Sequence, residues 1–84
     1  MDIVKRAENI VKERLKETYK ADKLGEDGRF ILVNMTNSSI TDGFDRPLFI
    51  FDKKTNTEKL IYYGELSFDP VDGLNLNKLI WKDI

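Results

Sequence analysis

Paired carboxylates are the acid–base groups to weigh in this chain, because its 84 residues include no histidine and no cysteine. That absence removes the commonest general base, the usual zinc ligands, thiolate nucleophiles and any disulfide framework. Two closely spaced aspartate pairs remain to be weighed, Asp42 with Asp45 and Asp69 with Asp72. General acid–base catalysis needs two carboxyls in a shared, partly buried cleft with their pKa values pulled apart. Both pairs instead lie in turn sequence, where aspartate is favoured for bonding its own backbone. The loop from Asp69 to Gly73 also lacks the ligand run of an EF-hand. The reading is a non-enzyme with no catalytic residue, no bound metal and no cofactor.

Other ligand classes fare no better. Gly25 and Gly28 flank Glu26 and Asp27, whose carboxylates would repel a phosphate. The run Arg46-Pro47-Leu48-Phe49-Ile50-Phe51 puts a basic residue before spaced aromatics, as RNA-stacking strands do, but lacks the glycines that let bases approach. A formal net charge of -1 also argues against a protein whose affinity comes from neutralising phosphates. Lys53 and Lys54 read as solubilising turn residues, since a catalytic lysine needs a desolvated pocket. Apolar runs of about four residues are too short to span a bilayer. The start, Met1-Asp2-Ile3-Val4-Lys5-Arg6, has no apolar block of a secretory signal, and with the absent cysteine this leads us to expect a cytoplasmic protein. On that reading Asn34-Met35-Thr36 and Asn37-Ser38-Ser39 are chance glycosylation matches.

The elements that would carry these residues follow from hydrophobic spacing. Ile3, Val4, Ala7, Ile10, Val11, Leu15, Thr18 and Tyr19 form one helical stripe, with Asp2 as N-cap and Gly25 as the stop, which predicts an amphipathic helix over 3–23. Strands are expected over Arg29–Thr36, over Leu48–Asp52 opened by Pro47, and over Glu58–Tyr63. The last two make a hairpin whose turn lets Asn56 take a positive φ. Residues 36–46 are a polar loop anchored by Ile40 and Phe44. Residues 74–84 fit alternation and helical spacing about equally, and we lean toward a short helix or irregular segment. The expected fold is a single α+β domain over 1–84, an N-terminal helix packed on a small antiparallel sheet of three to four strands.

The strands carry the functional argument. Phe30-Ile31-Leu32-Val33, Leu48-Phe49-Ile50-Phe51 and Leu60-Ile61-Tyr62-Tyr63 are continuously apolar, so each sends oily side chains to both faces of the sheet. One helix covers one face. Either residues 74–84 fold across the other, or another chain covers it. Leaving several aromatics in water forgoes several kcal/mol, and exposed apolar patches of that size mark interaction sites. Tyr62, Tyr63, Phe68 and Trp81 are the aromatics expected near the rim, where tyrosine and tryptophan make good interface anchors. Charge is uneven as well, with seven Lys/Arg against five Asp/Glu in residues 1–24 and seven against ten in residues 25–84.

The segment from Arg46 to Asn56 resembles the central motif of the small bacterial YrhB-type immunity proteins, an apolar run led by proline and followed by Asp, basic and Thr residues. Asn56 stands where that family usually has glycine. The resemblance implies a protein that neutralises a cognate toxin by binding it, without catalysis. Together with the charge asymmetry, it gives the expected function: a protein-binding inhibitor or immunity-type domain of bacterial or phage origin. Its partner would be another protein, such as a basic toxin or nuclease, met by Asp42, Asp45, Tyr62, Tyr63, Glu65, Phe68, Asp69, Asp72 and Trp81. The alternative is a self-associating module that uses the same surface in a homodimer.

Overall fold

In the computed structural model, which describes residues 2–38 and 46–84, Asp2 caps a helix, α1 (Ile3–Leu15), its carboxylate accepting from the Val4 and Lys5 N–H groups. The helix is shorter than the expected 3–23. Lys16 turns left-handed at φ 61°, and its N–H closes on the Lys12 carbonyl. The continuing stripe at Thr18 and Tyr19 does not extend the helix. Tyr19 is buried against α1, and Lys20–Glu26 forms strand β1. Pairing that segment to the next strand satisfies a row of backbone groups that a longer helix would have left on an open sheet edge.

Four more strands follow: β2 (Phe30–Thr36), β3 (Pro47–Asp52), β4 (Thr57–Tyr62) and β5 (Ile80–Asp83). All pair antiparallel in the order β4-β3-β2-β1-β5, giving five strands where three or four were expected, within an α+β fold. The β1–β2 turn is fixed by Asp27, whose carboxylate accepts from the N–H groups of Arg29 at 2.7 Å and Phe30 at 2.6 Å. Asn56 takes φ 55° in the β3–β4 turn. The ambiguous tail resolves into one 3-10 turn, Leu76–Lys78, followed by β5. Gly25, expected to stop the helix, lies inside β1 instead. A Cβ there would fall 2.8 Å from the Trp81 ring, so glycine is what lets the indole lie flat on the strand. Trp81 Nε1–H also donates to the Leu76 carbonyl at 3.3 Å.

Both sheet faces are apolar, and this chain covers the core of each, leaving only the β5 end of the helix side open. On one face Leu24, Val33, Met35 and Phe49 pack under Ala7 and Val11 of α1. Arg6 clamps the helix to β4 through both Glu58 oxygens, and Glu8 accepts from the Ala21 N–H at 3.1 Å. On the other face Phe30, Leu32, Leu48, Ile50 and Ile61 lie under Leu79, with Tyr63, Leu66, Val71, Leu74, Leu76 and Trp81 packed around them. The cover is intramolecular, yet it begins at Tyr63 and not at residue 74. Arg29 holds Asp52 with two hydrogen bonds at 3.0 and 3.1 Å, and its guanidinium fills the space beside Gly73, tying that cover to the sheet. Among the described residues no helix is long and apolar enough to cross a membrane.

Candidate functional site

The residues expected to meet a partner do not form one aromatic patch. Tyr63 and Trp81 are half-buried in the second core. Tyr62 pairs with Pro47 one step beyond the Ile61–Leu48 pair, so it points to the helix side of the sheet, where it is 39% exposed. Asp42 and Asp45 lie outside the described residues, as do the loop anchors Ile40 and Phe44. What the fold does gather is the turn from Glu65 to Asp72.

That turn is built so that its apolar residues divide. Leu66 and Val71 sink into the second core, while Phe68 between them is 90% exposed. The backbone is pinned meanwhile. A 3-10 turn, Tyr63–Ser67, places the Glu65 carbonyl to accept from both Phe68 N–H at 3.0 Å and Asp69 N–H at 2.7 Å. The Glu65 carboxylate accepts from the Tyr62 N–H at 3.3 Å. Glu65, Asp69 and Asp72 are all exposed, and residues 60–77 contain no lysine or arginine. The outcome is an exposed phenyl ring on a hydrogen-bonded backbone, in a turn whose own charges are all acidic, with the Arg29 guanidinium beside Gly73 and within electrostatic reach of Asp72. Asp69 and Asp72 share a surface turn, not the partly buried cleft that acid–base work requires. Among the described residues no three His, Cys, Asp or Glu side chains are grouped as metal ligands would be.

A second constellation was hidden from sequence reasoning. One extra residue, Asp22, bulges β1 between Ala21 and Lys23, and its carboxylate meets Arg46 Nη1 at 3.1 Å. Asn34 of β2, 6% exposed, and Tyr63 join them. Burial pushes the Tyr63 hydroxyl pKa up; Asn34 and Arg46 oppose that and Asp22 adds to it. Asp22 Oδ1, Asn34 Oδ1 and Arg46 Nε are buried without hydrogen-bond partners among the described residues. The four side chains come from four segments that only the register brings together, so no spacing along the chain announces them.

No protein-family model, curated protein or solved structure matches the chain.

Proposed function

We propose that this chain is a protein-binding domain that works by occlusion, an inhibitor or immunity-type protein, as the resemblance of its Arg46–Asn56 segment implies, and that the turn from Glu65 to Asp72 is its contact surface. The observation that carries this reading is Phe68, 90% exposed on a hydrogen-bonded backbone, in a turn that also carries the exposed acidic residues Glu65, Asp69 and Asp72. A single exposed apolar residue is ordinary on a protein surface. Here the ring's backbone is already hydrogen-bonded, so docking has to order the side chain but little of the main chain. Burying a phenyl group in a partner's pocket contributes roughly 1.5–3 kcal/mol, and the acidic turn favours a basic target and speeds encounter with it. A toxin or nuclease with a basic substrate groove fits that description.

The test is capture from bacterial lysates with two baits side by side, the wild-type chain and a variant carrying Phe68→Ala, Asp69→Lys and Asp72→Lys. The reading expects a basic protein retained by the wild type, released by raised salt, and bound at least tenfold more weakly by the variant. Equal retention by both baits, or nothing retained by the wild type alone, would overturn it.

A further inference from the structure

The sheet has two edge strands, each paired on one side only among the described residues, β4 with β3 and β5 with β1. β4 is tied to α1 through Glu58 and Arg6 and runs directly into the 3-10 turn at Tyr63. β5 pairs only with β1 among the described residues, leaving its other side open. Ile80 lies opposite Glu26 and Lys82 opposite Leu24, which places both on the face that α1 covers elsewhere. The helix stops short of them. A groove of about 370 Å³ remains there, lined by Leu24, Glu26, Asp27, Gly28, Ile80 and Lys82. Ile80 is 79% exposed and Ile84, beyond the end of β5, is 57% exposed. Lys82 between them makes no ion pair among the described residues.

We infer that β5 is a docking edge for an extended segment of another protein, one that carries an acidic residue flanked two positions to either side by apolar residues. Backbone pairing along the open edge would supply affinity, and alternate side chains on one face would supply selection. An apolar side chain beside Ile80 enters the groove, and a carboxylate opposite Lys82 gives it the counter-charge it lacks. A second copy of this chain is the wrong occupant. The antiparallel register that pairs Ile80 with Ile84 sets Lys82 against Lys82, and like charges directly opposite destabilise a strand pair. This inference concerns a different surface from the Phe68 turn and stands or falls separately.

The experiment is an amide NMR titration of the isotope-labelled full chain with two capped peptides, Thr-Val-Thr-Glu-Thr-Val-Thr and its counterpart with lysine at the centre. The glutamate peptide is expected to shift the amides of residues 80–84 and 24–28 saturably, binding at least fivefold more tightly than the lysine peptide. Lys82→Glu is expected to invert that preference. Ile80→Lys, a change at an exposed site, is expected to abolish the shifts. Shifts elsewhere, none at all, equal response to both peptides, or shifts that appear with protein concentration alone would each overturn the inference.

Discussion

The two faces of this sheet solve the same problem by different means. Under α1 a regular amphipathic helix lays Ala7 and Val11 on Val33, Met35 and Phe49. On the opposite face an irregular stretch from Tyr63 to Leu79 buries Phe30, Leu32, Leu48 and Ile50 with side chains taken at uneven intervals. A helix divides its residues by a fixed period, so its outer face is uniformly solvated. An irregular cover has no such period. It can sink Leu66 and Val71 while presenting Phe68 between them, and that freedom lets the second face combine closure with display.

If both covers complete true cores, truncation beneath either should cost similarly. Phe49→Ala under the helix is expected to lower unfolding free energy by about 3–5 kcal/mol and Leu48→Ala under the irregular cover by about 2–5 kcal/mol, read by urea denaturation. A loss below about 1 kcal/mol for Leu48→Ala, beside the full loss for Phe49→Ala, would show that only the helix side is a core.

Gly25→Ala probes the irregular side alone. The added Cβ meets the Trp81 ring at 2.8 Å, so the indole must move, at an expected cost of about 1–3 kcal/mol. Trp81 is the single tryptophan, and its fluorescence should shift to the red in the folded variant. An unchanged spectrum would contradict the packing described.

Acid titration sharpens the comparison through Asp52, which binds Arg29 where the irregular cover meets the sheet. Hydrogen bonding to Arg29 holds the Asp52 pKa down from 3.8 to about 2. A carboxyl with a depressed folded pKa stabilises fully above its unfolded value and loses that contribution as pH falls through the folded one. Thermal midpoints should therefore decline between about pH 4 and pH 2. Glu58, lowered by Arg6 on the helix side, and Asp27, lowered by the Phe30 and Arg29 N–H groups, add in the same direction. Asp52→Asn is expected to be less stable at neutral pH and to show a shallower acid decline; an identical profile would count against the Arg29 contact. The smallest effect is expected at Phe68→Ala, within about 0.5 kcal/mol of wild type, since the ring packs on nothing it would leave behind.

What the sequence conveys tracks how local each determinant is. The Asp2 cap, the strand entry at Pro47 and the positive φ of Asn56 are decided by neighbours in the chain, and all three can be read directly. The two-sided greasiness of β2 and β3 is legible for the same reason. β1 is not, because Lys20-Ala21-Asp22-Lys23 has almost no apolar signal and Thr18 and Tyr19 extend the helical stripe by accident. Only the contact with β2 makes it a strand, although Gly25 and the turn at Asp27-Gly28 were there as hints of a hairpin. Of the candidate site, Glu65, Phe68, Asp69 and Asp72 come together because they share one turn. Tyr62 parts from Tyr63 and Trp81, since register turns it to the helix side while the other two pack into the second core. The Asp22–Arg46–Asn34–Tyr63 cluster depends wholly on long-range pairing and a bulge, which no single-chain pattern reveals.

Amide hydrogen exchange on the wild-type chain, free and saturated with a basic protein that it captures, bears most directly on the proposal that a partner meets the Phe68 turn while the sheet beneath stays closed. Slowed exchange over residues 65–72, with the Tyr63–Leu79 cover and strands β2 and β3 no more open than before, is the result expected. Accelerated exchange along that cover, with new protection on the β2 and β3 amides, would mean that the partner displaces it and takes the sheet face for itself.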